Sequence, residues 1–457
     1  MRSLLASSWI TISCAIFSVC ACGSDDKPAS ENEKPKCTLG TNAGCQNNQV
    51  CEEVPGGEPA CFDPIRIQGT VTNAADATAI AGALVVALDA NGAAVSATAT
   101  TDSAGKYSVL VPVSRTSDGT PVANVSYTLR ADASLFQSFP TPPRVAIPVK
   151  VDQPVSGVVT GAATSISLLR LPQTTPTGSI SGKVSLEQPK GTLVVAGGST
   201  ALTASDGTFT VFNVAPGTVT VSAYRQGANI APASVTVTAD QTTKDVTLAA
   251  AAKPAVTVSG KVSIVNPGSG TNTSVILVVE DTFIENAARG ESPPGLRAAN
   301  VGGDFSISGV PDGKYVVLAA FENDHLVRDP DTCIGGTAIV RVTVAGQDVT
   351  LAESFKVTGA LDVVSPDAEQ VVTATPSFVW VDDSSEDNYM LSVYDAFGNL
   401  VWENNAVPGV SGNQNVTVAY AGPALTPGMV YQYRATSVHK NCPISRTEDL
   451  RGVFRVQ

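Results

Sequence analysis

From Ile65 onward, apolar and polar residues alternate in short runs rich in Val and Thr, broken every few residues by Asp-Gly, Pro-Gly or Asn-Gly pairs. A period of two predicts strands with one face buried, and the turn pairs predict antiparallel hairpins. One pattern recurs three times. It opens on a strand containing Gly69-Thr70-Val71, Gly182-Lys183-Val184 or Gly260-Lys261-Val262. A β-branched run follows: GALVVALD (82–89), TLVVAGG (192–198) and SVILVVED (274–281). Next comes an Asp/Gly turn into an aromatic strand, at Asp102 to Tyr107, Asp206 to Phe209, and Gly303-Asp304-Phe305. The second and third copies add a Pro turn, Val214-Ala215-Pro216-Gly217 and Val310-Pro311-Asp312-Gly313. Each copy closes on a strand, SISLLRL (165–171), VTVTADQTTKDVTL (235–248) or VRVTVAGQDVTL (340–351). Successive opening glycines lie 113 and 78 residues apart, too far for a solenoid repeat, so each copy is a whole domain.

Residues 357–457 change character: Phe378, Trp380, Tyr389, Tyr394, Trp402, Tyr420, Tyr431 and Tyr433 gather there. Aromatics at strand spacing predict a core rather than a ligand platform. The fold expectation is therefore all-β, tandem antiparallel Greek-key sandwiches at 65–173, 178–250, 255–355 and 357–457. TTPTG (174–178) and AAAAKPA (249–255) read as linkers.

The amino terminus sets a compartment. Leu4 to Ala21 carries no charge, follows Arg2 and ends in small residues, as an export signal over 1–21 does. Gly23 to Lys36 is polar and Pro-containing, a flexible tether over 22–36. Cys37, Cys45, Cys51 and Cys61 then predict a stapled module at 37–64, two disulfides rather than a zinc site, because no C-x-x-C pair is present. Three pairings are possible. Cys333 and Cys442 remain, candidates to pair and lock the third and fourth sandwiches.

Composition narrows the chemistry. The 457 residues carry a net charge of −13 and only two histidines, His325 and His439. An acidic chain is a poor partner for nucleic acid, and two histidines leave little room for His-based catalysis. No G-x-S-x-G elbow, Walker loop or H-E-x-x-H stands out, so neither enzyme activity nor a cofactor is expected. Acidic loops at Glu322, Asp324, Asp329 and Asp331, and at Asp382, Asp383, Glu386 and Asp387, are weak candidates for Ca²⁺. Their spacing is that of no ordered calcium loop, and solvated loops are the simpler reading.

Three resemblances follow from these residues. Val19-Cys20-Ala21-Cys22 resembles the lipobox of bacterial lipoproteins, implying acylation at Cys22 and an anchor in the outer membrane, periplasmic or surface-facing. The three repeats resemble the carboxypeptidase regulatory-like family, transthyretin-like sandwiches that act as accessory or adhesive modules. The first copy lacks the Pro-Gly turn and carries an insertion at 114–143, and the third carries a loop at 282–300. Residues 357–457 resemble a fibronectin type III domain, with Trp380 as core tryptophan and Tyr431 as the corner tyrosine. Together these imply a lipid-anchored envelope scaffold that binds protein, or alternatively one that captures polysaccharide. The second option needs exposed rings, and the first two repeats offer few beyond Phe136, Phe139 and Tyr224.

Overall fold

The computed structural model describes residues 36–172, 175–331, 333–411 and 414–457. The export segment 1–21, Cys22 and nearly all of the 22–36 tether lie outside the described residues. The fold is all-β, built from separate small sheets behind a disulfide-rich module.

In that module Val50–Glu52 pairs antiparallel with Ala60–Phe62. Two disulfides, Cys37–Cys51 and Cys45–Cys61, cross it in place of a core. It is fastened to the first sandwich by buried Glu52, which accepts from Arg115 Nε at 2.5 Å and from the Val113 amide at 3.2 Å.

The three repeats share one topology. In each, the opening strand lies between an antiparallel strand that follows the Asp/Gly turn and a closing strand that runs parallel to it. These trios are Ile65–Asn73 with Lys106–Val111 and Ser165–Leu168, then Gly178–Ser185 with Thr208–Val214 and Thr242–Ala249. In the third, Val256–Ile264 pairs with Asp304–Val310 and, in two pieces, with Val349–Thr350 and Phe355–Gly359. A four-stranded sheet covers each trio, centred on Leu84–Leu88 with Ser126–Asp132, Leu193–Ala196 with Gly217–Tyr224, and Thr273–Val279 with Gly313–Ala319.

The register explains the motif. Gly69 stands opposite Tyr107, Gly182 opposite Phe209 and Gly260 opposite Phe305. A Cβ at Gly69 would collide with the Thr164 carbonyl oxygen and the Tyr107 hydroxyl, and one at Gly182 with Val246 O and the Phe209 ring. The aromatic ring covers the glycine while the closing segment approaches over it. Tyr107 donates its hydroxyl hydrogen to Thr164 O at 2.8 Å. The turn that delivers Tyr107 is held by Asp102, whose Oδ1 accepts from the amides of Ala104 and Lys106 at 2.9 Å each, with Gly105 at φ +71°.

The last sandwich packs Val363–Ser365, Ser377–Val381 and Asn415–Ala419 against a sheet built on Asn388–Asp395 and Val430–His439. Phe378, Trp380, Tyr389, Tyr433 and Phe454 are buried between them. The Tyr431 hydroxyl accepts from the Thr426 amide at 2.9 Å. The edge along Val430–His439 is split: Cys442–Arg446 pairs with one end and Val453–Val456 with the other. The intervening turn carries Glu448 and Asp449.

One boundary moves. The strand Phe355–Gly359 runs through the junction expected at 355 to 357. Buried Phe355 and Val357 belong to the third core, whereas Leu361 joins the last.

Candidate interaction site

The sandwiches are not separate beads. Leu193 and Val195 belong to the second unit's sheet but pack in the third unit's core, where Tyr224 also meets Tyr315 edge-on at 5.8 Å. Leu169 of the first sandwich packs with Ala396, Val430 and Val453 of the last. Strands with alternating apolar faces bury one face at home, and these residues bury the other against a neighbour.

Polar ties cross every one of these junctions. Asn213 Nδ2 donates to Ala133 O at 3.1 Å and Phe136 O at 2.9 Å, while its Oδ1 accepts from the Leu135 amide at 2.6 Å. Arg130 donates to Asp132 of its own strand and to Thr200 and Glu291 of the next two units. Arg328 and Asp449 meet between the third and last sandwiches, with Arg434 and Arg446 on the same carboxylate. Burial opposes the charge on Asp449, but the three arginines outweigh it and hold its carboxyl below the usual range. Cys333 is bonded to Cys442 across this junction.

The first and last sandwiches close on each other through Arg144. Its guanidinium lies over the Phe139 ring at 4.6 Å, and Nη1 donates to Ser167 O at 2.9 Å. Nε and Nη2 donate to the two oxygens of Glu369, at 2.7 and 3.2 Å. Arg455 adds a bond to Glu369 at 2.9 Å. Burial favours the neutral acid at Glu369, yet the two arginines hold its carboxyl below the ordinary glutamate range.

Beside this tie opens a cleft of about 460 Å³ between the first and last sandwiches. Its apolar wall is the segment from Pro143 to Pro148, supplied by and just beyond the insertion that set the first repeat apart. Val145 and Ile147 stand 52% and 64% exposed there. The rim is charged: Arg451 pairs with Asp367 at 2.8 Å, next to Glu369 and Arg455. The cleft thus has an apolar wall beside an arginine-bearing rim.

The weak calcium candidates do not converge. Glu322 pairs with Arg297, and Asp324 accepts from the Thr273 hydroxyl at 2.6 Å. Asp329 pairs with Lys356 at 3.0 Å, and Asp331 accepts from the Cys333 amide at 3.0 Å. Each carboxylate satisfies a different local partner, and the loop serves to dock the last sandwich: Asp324 and His325 donate their amides to Glu448 at 2.6 and 2.8 Å. In the second loop Asp382 accepts from Tyr389, Asp383 from Ser437, and Asp387 from the Lys440 amide. Glu386 is hydrogen-bonded to Asp382, and burial and that neighbouring acid push its carboxyl up. Arg144, Arg328, Arg289, Glu369 and Asp449 were not singled out in the sequence, because each works through a residue more than a hundred positions away.

No family model matches the chain, and no curated protein matches it. Among solved structures it is similar to the Bacillus anthracis TIE protein, at 12% identity over 96% of this chain and 74% of that one, with a TM-score of 0.16. A DUF3823 family protein from Bacteroides ovatus is similar over 44% of this chain and all of its own, at 13% identity and a TM-score of 0.20. A Streptococcal ancillary pilin is similar over 64% and 98%, at 12% identity and a TM-score of 0.17. Overlaps this slight carry no weight for function.

Proposed function

We propose that this chain is a lipid-anchored, non-catalytic protein of a bacterial cell envelope, a structural and protein-binding scaffold. The observation that carries the reading is where the buried charge goes. Arg130, Arg144 and Arg328, with Glu291, Glu369 and Asp449, tie one sandwich to another and so hold the contact cleft in a fixed shape. A rigid surface loses little conformational entropy on binding.

The finer kinship is part of the proposal. The glycine facing an aromatic and the parallel closing strand support a carboxypeptidase regulatory-like origin for the three repeats. Buried Trp380 and the Tyr431–Thr426 bond support a fibronectin type III-like last domain. Acylation at Cys22 would place the protein on the outer membrane, where two or three acyl chains hold it at about 0.8 kcal/mol per buried methylene. Polysaccharide capture draws no support from the rings singled out in the first two repeats: Phe136 and Tyr224 are buried, and Phe139 lies under Arg144.

The test has two arms. Wild-type protein should partition into detergent with the membrane fraction and carry an acyl mass at its mature N-terminus, and Cys22→Ser should abolish both. A photo-crosslinker installed at Ile147 in living cells should give one discrete protein adduct, lost when Val145 is also changed to Asp. A soluble wild type would end the lipoprotein reading, and a cleft that yields no protein adduct would end the scaffold one.

A further inference from the structure

Segments of all three repeats meet around an open cavity of about 620 Å³, which shares no lining residue with the cleft between the first and last sandwiches. The first sandwich supplies the turn from Asp89 to Ala93, the second Arg225 and Gln226, and the third Pro294, Gly295 and Arg297. The turns are pinned in place. Asp89 Oδ1 accepts from the amides of Asn91 and Ala93 at 2.9 Å each. The Gly227 amide donates to Gly309 O at 2.7 Å and Gln226 Nε2 to Ser308 O at 3.1 Å, so the second turn is bound to the third sandwich. Gly191 lies so close to the first turn that a Cβ there would stand 2.9 Å from the Ala94 amide nitrogen. Walls shaped before a ligand arrives cost little to order when it binds.

One cation of this wall has no acid to answer it. Arg225 is half-buried, and its Nη1 donates to Lys190 O at 2.7 Å. Its Nε and Nη2 donate to nothing among the described residues and keep surface open to solvent, and no carboxylate there pairs with the guanidinium. Burial holds its pKa below the ordinary arginine value, with no acid set against that effect. Burial lowers Lys190, beside Gly191 of the wall, in the same way. Arg297 differs, because Glu322 answers its charge. The free Nε–Nη2 edge of Arg225 presents two parallel N–H groups, which match the two oxygens of a carboxylate.

The rest of the wall suits hydroxyl groups. Asp89 Oδ2 accepts no hydrogen bond among the described residues, and the side chains of Asn91 and Gln226 are exposed. The Asp89 carboxylate would also repel a second negative charge, which disfavours a polyphosphate or a nucleic-acid backbone. The volume is that of a small-molecule site and far exceeds what a lone ion needs.

We propose that this cavity binds an acidic sugar, a hexuronate unit of a polysaccharide, with its carboxylate held by Arg225 Nε and Nη2 and its hydroxyls by Asp89, Asn91 and Gln226. Such recognition uses planar polar groups and needs no stacking ring. It goes beyond the protein-binding role and leaves the cleft between the first and last sandwiches free.

The test uses the full chain, titrated calorimetrically with oligogalacturonate, oligoglucuronate, their neutral hexose counterparts, or inorganic phosphate at constant ionic strength. Saturable binding is expected from at least one uronate, about tenfold or more tighter than from its neutral counterpart, and none from phosphate. Arg225→Gln should weaken the uronate about tenfold or more and leave the neutral sugar unaffected. Should that variant fail to fold, Arg225→Lys, which keeps the charge but loses the fork, makes the same comparison. No saturable binding of either uronate, equal binding of the neutral sugar or of phosphate, or unchanged uronate affinity in the folded variant would overturn the assignment.

Discussion

Arg328 and Asp449 form a buried ion pair, Nη2 to Oδ2 at 2.7 Å, across the junction between the third and last sandwiches. Arg434 and Arg446 approach the other oxygen at 3.3 and 3.4 Å. One carboxylate thus answers three guanidinium groups, and removing its charge leaves them facing one another. Asp449→Asn keeps the shape and should cost about 3–5 kcal/mol, the penalty for breaking a buried pair from one side. Urea unfolding of the variant measures it.

The neighbouring acid should behave in the opposite way. Burial raises the Glu448 carboxyl above its ordinary pKa, whereas Asp449 and Glu369 are held below theirs. For the lowered pair, stability is present above the unfolded-state values of about 4 and is lost as pH falls through the folded ones. For Glu448, stability is present below its unfolded value and is lost as pH rises through the raised folded one. Glu448→Gln keeps an oxygen for the Asp324 and His325 amides. It should therefore flatten the decline in stability just above pH 4 and leave acid unfolding at lower pH unchanged. A stability–pH curve for wild type and variant reads both limbs.

Cys333 and Cys442 lie 109 positions apart, so the bond between them restrains a long loop of the unfolded chain. Replacing both with Ser should cost about 2–4 kcal/mol. The buried arginines should still keep the third and last sandwiches docked, so the two should lose protease resistance together rather than one by one. Limited proteolysis across a urea series checks this.

Asn213 holds a left-handed backbone at φ +63° and makes three bonds into the first sandwich. Asn213→Ala removes the partner of the Leu135 amide and of the Phe136 carbonyl, and leaves Ala133 O with the Phe136 amide alone. The expected loss is about 1–3 kcal/mol. Asn213→Asp should recover only the bond from the Leu135 amide, and comparing the two by thermal unfolding separates the acceptor from the donors.

Strands and turns were readable from the chain because their causes are local. GALVVALD alternates little, being buried on both faces, yet its β-branched run and flanking Gly place Leu84–Leu88 correctly. The repeat motif was visible as Gly69, Gly182 and Gly260, but its reason was not, since the covering rings at Tyr107, Phe209 and Phe305 lie 38, 27 and 45 positions on. The junctions were illegible. Arg144 sits just beyond an insertion that reads as a loop, and nothing local marks Glu369, 225 positions away, as its partner. The same distance hid Asp449, which lies in a break of the last strand where only two acids in a turn are seen.

The first and last sandwiches close on each other and make one locked body. A double-mutant cycle on Arg144 and Glu369 tests it most directly. Arg144→Met, Glu369→Gln and the double variant should show a coupling of about 1–3 kcal/mol in unfolding free energy, because the two side chains share a buried bidentate bond. Costs that simply add, within about 0.5 kcal/mol, would contradict closure of the first and last sandwiches through Arg144 and Glu369.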